Sequence, residues 1–171
     1  MFNDLLDANE KYQAQFVDPG VPGRAGRELA VVTCIDSRID PLAMLGLKPG
    51  DAKIIRNAGA RITDDTLRSL ILATNLLNAR RICVVQHTDC AVAGSTEEQM
   101  RARVAEATGK DTGDWEFLAN TDQKETVRED IAKIRACELI PADTQIGAFI
   151  FDVHTGALTA VDQIWPESTE D

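Results

Sequence analysis

Cys34-Ile35-Asp36-Ser37-Arg38 and His87-Thr88-Asp89-Cys90 hold the side chains best equipped for chemistry. Two thiolates and one imidazole make a zinc set that leaves one coordination position open. His87 and Cys90 are close enough in sequence for a single turn to aim both at one ion. Cys34 must reach that ion from another part of the fold. Two thiolates cancel the charge of Zn2+, so water at the open position is acidified less than it would be by three imidazoles. A neighbouring group has to tune that water. Asp36 suits the task, with Arg38 as its partner, because a guanidinium fork fits a carboxylate bidentately. The pairing holds Asp36 ionised, aims an acceptor at the water and keeps the carboxylate off the metal. Without it, Asp36 can swing in as a fourth ligand and close the site.

The remaining thiols and the second imidazole read differently. Cys83 falls inside an apolar run and Cys137 on the apolar stripe of a helix, so both are expected to pack as small hydrophobes. Asp89 is expected to be solvated or to stabilise its turn, with orientation of a ligand as the alternative. His154 precedes Thr155-Gly156, which places it in a surface turn rather than in a proton relay.

Those groups can meet only if the chain folds to bring them together. Leu29–Thr33, Ala52–Arg56 and Ile82–Val85 are short apolar runs of the kind that form strands buried on both faces. Between them, Asp40-Pro41 opens a short helix that Gly46 stops. Residues 64–79 carry Leu67, Leu70, Ile71, Thr74 and Leu77 at helical spacing. Ser95 with Glu98 predicts a capped helix running to Thr108, and Gly109 suits its end. Asp122 with Glu125 opens another, which Pro141 closes. Ala148–Val153 and Ala157–Val161, joined by His154-Thr155-Gly156, form a hairpin. Strands alternating with helices predict an α/β fold: a single domain with a mostly parallel central sheet, an antiparallel edge strand and flanking helices. Parallel strands end on one side of a sheet, and Cys34 and His87 both lie just past such ends.

The chain reads as one domain over 1–171, with an α/β core from residue 24. Residues 1–23 form an N-terminal helical arm and linker, with Leu5, Tyr12 and Phe16 near one face and a break at Asp18-Pro19-Gly20. A helix set apart by such a linker is expected to pack on a second subunit. The 171 residues carry 18 basic and 28 acidic side chains, a net charge of −10, with no basic block. Nucleic acid is therefore not an expected partner. No apolar run is long enough to span a membrane, and the N-terminus does not read as a secretory signal. Four cysteines are too few for a disulfide scaffold, so the cytoplasm, where thiols stay reduced, is the expected location.

At Cys34-x-Asp36-Ser37-Arg38 and His87-x-x-Cys90 the chain resembles the beta-class carbonic anhydrases, particularly the short bacterial members. Arg56-Asn57-Ala58-Gly59 matches that pattern as well, and the resemblance covers roughly residues 28–165. It implies reversible hydration of carbon dioxide to bicarbonate. In that reading Cys34, His87 and Cys90 lie on zinc, and Asp36 and Arg38 act as the catalytic dyad. It also implies a homodimer, or a multiple of dimers, embraced by the N-terminal helices. Ala91 stands where the family carries glycine. Neither Gln13 nor Gln15 matches the glutamine that larger members place near the substrate. Two other readings share the motifs: hydrolysis of carbon disulfide or carbonyl sulfide at the same zinc, and a non-catalytic zinc protein with Asp36 as permanent fourth ligand. A redox protein is disfavoured, because Cys-x-x-Cys is absent.

Overall fold

A computed structural model describes residues 2–164. The apolar runs form β1 (Leu29–Cys34), β2 (Ala52–Asn57), β3 (Arg81–His87) and β4 (Gln145–Phe151), followed by β5 (Leu158–Ile164). The helices are α1 (Asn3–Gln15), α2 (Pro41–Met44), α3 (Asp64–Leu76), α4 (Glu97–Thr108) and α5 (Gln123–Ala136), and a 3-10 turn spans Ala58–Ala60. The strands form one five-stranded sheet in the order β2-β1-β3-β4-β5. All neighbours are parallel except the antiparallel β4–β5 pair. This is the expected α/β architecture with its edge hairpin.

Alternation along each strand divides the interior in two. Ala30, Val32, Ile82, Val84, Ile146 and Ala148 face a core closed by Leu70 and Ala73 of α3 and by Val127, Ile131 and Ile134 of α5. Val31, Cys83, Val85 and Phe151 face the other way, against Ile39, Met44, Leu45, Met100 and Phe117. Leu70 is fully buried among close-packed neighbours. Leu70→Ala should therefore cost about 2–5 kcal/mol, read as a lower midpoint in urea at unchanged slope.

Several boundaries differ from the sequence reading, each for a local reason. The capping box of α4 is Thr96 with Gln99, one residue beyond Ser95 and Glu98. Both dipeptides carry capping chemistry; the Gly94 N–H bond to the Asn120 carbonyl, a tertiary contact, accompanies the later register. Helix α3 stops at Leu76 because Asn78 turns left-handed and the Ala79 N–H returns to the Ala73 carbonyl. Helix α5 ends before Cys137, which caps it in extended backbone well ahead of Pro141. Cys137 is half-buried and still packs on the first core. Helix α1 buries no residue, and Phe2, Leu5, Leu6, Tyr12 and Phe16 are all exposed.

Candidate metal centre

The chain runs from β1 outward to β2, then returns past β1 to β3, so the connections diverge between β1 and β3. Ligands bind at such a divergence, outside the carboxyl ends of parallel strands. Cys34 closes β1 and His87 closes β3, and the turn after β3 brings in Cys90. The ligand atoms of these three buried residues all lie within 4.8 Å of one another. The two sulfurs stand 4.0 Å apart. Zinc–sulfur bonds of about 2.3 Å at a tetrahedral angle put two thiolates about 3.8 Å apart, so the spacing fits a shared ion.

The imidazole is set for the same purpose. His87 Nδ1 lies 2.8 Å from the Thr88 carbonyl, which selects the tautomer with hydrogen on Nδ1. Nε2 is buried with no hydrogen-bond partner among the described residues. A buried imine nitrogen within 4.8 Å of two sulfurs completes a donor set that fits a thiophilic divalent ion. Burial disfavours the His87 cation, but the Cys34 sulfur, the Thr88 carbonyl and Asp36 outweigh it and raise its pKa. The Cys34 thiol is pulled well below its ordinary range, chiefly by a hydrogen bond from Cys90, with His87 and the Gly59 N–H assisting. Cys90 is pushed up as the partner that keeps the proton. A metal ion bound by these residues would displace that shared proton.

Asp36 lies at the edge of the cluster, its Oδ2 3.9 Å from His87 Nε2. Both carboxylate oxygens are held by Arg38. Nε donates to Oδ1 at 2.9 Å, Nη2 donates to Oδ2 at 2.8 Å, and the Arg38 backbone N–H also donates to Oδ1. These bonds hold the Asp36 carboxyl far below the usual range. Arg38 is itself fixed from the far side, since Nη1 donates to Asp89 Oδ2 at 2.7 Å and Nη2 to the Asp89 carbonyl. Asp36 should therefore remain ionised well below pH 4. In Arg38→Met its carboxyl carbon should titrate near the ordinary value of about 4, read by carbon NMR on metal-free protein. An unmoved titration in that variant would exclude the guanidinium as the cause.

Of the residues outside this cluster, Cys83 is buried in the second core and its thiol is pushed up to about 12, mainly by burial. His154 is exposed in its turn, its Nε2 3.9 Å from Asp89 Oδ2. Asp89 does more than the sequence reading gave it, as the second anchor of Arg38. Its backbone is left-handed, with φ 54°, so the tight turn falls there. Ala91 is exposed and is not one of the positive-φ positions, so its methyl group costs nothing in this turn.

Four hydrogen bonds, from three residues, escaped the sequence reading. The Gly59 N–H donates to Cys34 Sγ at 3.3 Å. Arg56 donates to the Cys34 and Asp36 carbonyls at 2.9 and 2.7 Å. Gln123 Nε2 donates to the His87 carbonyl at 2.8 Å. Arg56-Asn57-Ala58-Gly59 was the available signal for the Gly59 and Arg56 bonds; it was matched to the family's pattern, with no contact assigned to it. Gly59 has φ 76°, and a Cβ there would stand 2.6 Å from Val92 Cγ2, so glycine is required for both reasons.

Comparison with known proteins gives a consistent result. The family model described as Carbonic anhydrase matches residues 29–158. Beta-carbonic anhydrase 1 of Mycobacterium tuberculosis is 36% identical over 160 residues, covering 93% of this chain and 96% of that protein. Carbon disulfide hydrolase of Acidianus sp. is 31% identical over 168 residues, covering 85% and 81%. The crystal structure of carbonic anhydrase from Streptococcus mutans superposes with a TM-score of 0.87 at 39% identity, covering 94% of this chain and 97% of that one.

Proposed function

Because the chain belongs to the beta-carbonic anhydrase family, we propose that it catalyses the zinc-dependent, reversible hydration of carbon dioxide to bicarbonate and a proton. The observation that carries this reading is a buried Cys34–His87–Cys90 cluster beside a carboxylate restrained by Arg38. Cys34, His87 and Cys90 would hold the zinc. When bound, zinc supplies an acidified water as nucleophile for carbon dioxide. Asp36, whose Oδ2 lies 3.9 Å from His87 Nε2, would accept a hydrogen bond from that water and orient it. Arg38 occupies both carboxylate oxygens and so restrains Asp36 from becoming a fourth ligand. Stopped-flow hydration of carbon dioxide by zinc-loaded protein tests the reading, with turnover above buffer expected. No excess over buffer at full zinc content would refute it and favour a non-catalytic zinc protein.

The relative from Acidianus is named a carbon disulfide hydrolase. This supports a second reading, hydrolysis of carbon disulfide or carbonyl sulfide at the same site. The ligands are indifferent to the choice, which lies in access to the pocket. Hydrogen sulfide release from carbon disulfide, measured beside carbon dioxide turnover, separates the two.

The proposed working unit is a homodimer, or a multiple of dimers, of one-domain chains spanning 1–171, located in the cytoplasm. No described helix is long and apolar enough to cross a membrane. Helix α1 carries an unburied apolar face, while Leu29, Leu45, Leu47, Cys83, Phe149 and Leu158 line an apolar groove on the sheet. The groove of one copy is the complement of the arm of the other. Sedimentation should give at least twice the 18.7 kDa chain mass. Removing residues 1–17 should shift the protein toward monomer, and an unchanged mass would exclude the arm from the interface.

A further inference from the structure

The described residues hold one deeply buried ion pair that the proposed chemistry does not use. Arg61 follows the 3-10 turn and Asp130 lies in the middle of α5; their side chains are 7% and 0% exposed. Arg61 Nε donates to Asp130 Oδ2 at 2.7 Å and Nη2 to Oδ1 at 3.3 Å. The remaining arm of the fork, Nη1, donates to the Leu118 carbonyl at 2.7 Å. Lys133 Nζ, at the surface end, also donates to Asp130 Oδ1 at 3.1 Å.

Arg61 is bound just as firmly at its backbone. Asn57 Oδ1 accepts from the Arg61 N–H at 2.8 Å, and Asn57 Nδ2 donates to the Arg61 carbonyl at 2.7 Å. Asn57 is the last residue of β2, directly beside Cys34 in the sheet. The loop between these two anchor points is Ala58-Gly59-Ala60, and it delivers the Gly59 N–H to Cys34 Sγ. Leu118 belongs to the opposite wall. Beside it, the Asn120 N–H donates to the Val92 carbonyl, two residues past Cys90. One guanidinium thus ties together α5, the loop at the first sulfur ligand and the wall behind the second.

We propose that Arg61 and Asp130 are positioning residues for the metal centre: their buried pair fixes the Gly59 loop so that its N–H donates to the Cys34 sulfur. A hydrogen bond to a metal-bound thiolate draws charge from the sulfur and makes it a weaker donor. That partly offsets the neutralisation of the ion by two thiolates. The pair is a poor choice for stability alone. Apolar side chains of similar volume hold two elements together as well or better, because they carry no desolvation cost. Apolar contact lacks direction, whereas a planar fork with three engaged nitrogens sets the orientation of the loop it ends.

The inference rests on the reading of Cys34 as a metal ligand, so cobalt-substituted protein is the material for the test. The parent should bind cobalt stoichiometrically and show a thiolate-to-cobalt charge-transfer band. Failure of the parent to do so refutes the ligand reading itself. Three full-length variants follow: Asp130→Asn, Arg61→Lys and the apolar exchange Arg61→Met with Asp130→Leu. In Asp130→Asn and the exchange, the band should move to longer wavelength as the sulfur becomes the richer donor. The freed loop no longer pre-positions the Cys34 sulfur, and that loss should outweigh the richer donor, so metal affinity measured against a chelator should fall about tenfold or more. Arg61→Lys keeps charge on Asp130 and should recover part of the shift.

Folded variants with an unmoved band and parental affinity would overturn the proposal, even if their melting temperatures fall. If all three fail to fold, the pair serves the fold as a whole, and the proposal is overturned as well.

Discussion

Cys34→Ser should emerge from gel filtration without stoichiometric zinc and hydrate carbon dioxide no faster than buffer. A serine hydroxyl does not ionise near neutral pH and is a poor zinc ligand beside a thiolate. Protein zinc sites bind with about 10–16 kcal/mol in total, so one of three protein ligands represents about 3–5 kcal/mol, on the order of a thousandfold in affinity. The Gly59 N–H would lose its sulfur acceptor in the same step. Cys83→Ala supplies the comparison. Cys83 lies in an apolar cluster with its thiol pushed up to about 12, so its removal should leave zinc content and turnover intact. Metal analysis and stopped-flow rates on the two proteins decide the matter; full zinc and parental turnover in Cys34→Ser would remove Cys34 from the ligand set.

The second large effect belongs to Asp36. Asp36→Asn should retain its zinc and lose about 100- to 1,000-fold in turnover, the usual cost of one oriented charge contact to a reacting group. Asparagine presents one oxygen where the carboxylate presents two, and Arg38 holds both of those. With the amide oxygen on the guanidinium, the NH2 faces the open position as a donor, which is the wrong polarity for orienting water. The pH dependence has a definite sign. Arg38 depresses the folded pKa of Asp36. Its contribution is therefore fully present above the unfolded value of about 3.9, and is lost only as pH falls through the lower folded value. Any loss of turnover between pH 8 and 5 must come from a group other than Asp36. Parental turnover in Asp36→Asn would end its proposed role.

The parts legible in sequence are those that depend on side-chain type and period. The continuous apolar runs of β1 and β3 announced a sheet covered on both faces, and that alone placed Cys34 and His87 on one side of it. The Asp36–Arg38 fork was legible because both partners lie in one turn. The unread parts depend on backbone direction. Gly59 reaches Cys34 through an N–H that every residue but proline possesses, so its composition is silent until the left-handed loop is seen. Asp89 looked like a turn residue because its partner Arg38 lies 51 positions away. The cap of α4 slipped by one residue because Ser95-Thr96 and Glu98-Gln99 offer the same chemistry twice. Arg61 and Asp130 lie 69 positions apart, so nothing in the sequence joins them; their burial and 2.7 Å contact do.

The divergence of the chain between β1 and β3 also orders events in time. Leu29 pairs with Ala52 on one side and with Arg81 on the other. As the chain leaves the ribosome, β1 and β2 are available to each other long before β3 exists. Cys34 passes that interval as a solitary thiol, since its fellow sulfur lies 56 positions downstream. His87 and Cys90 emerge together but offer only half a tetrahedron. The parallel ladder between β1 and β3 must close before the three donors converge, and two apolar cores reward that closure without any ion. Binding of an ion by all three donors would thus be a late event, since it requires the closed β1–β3 ladder.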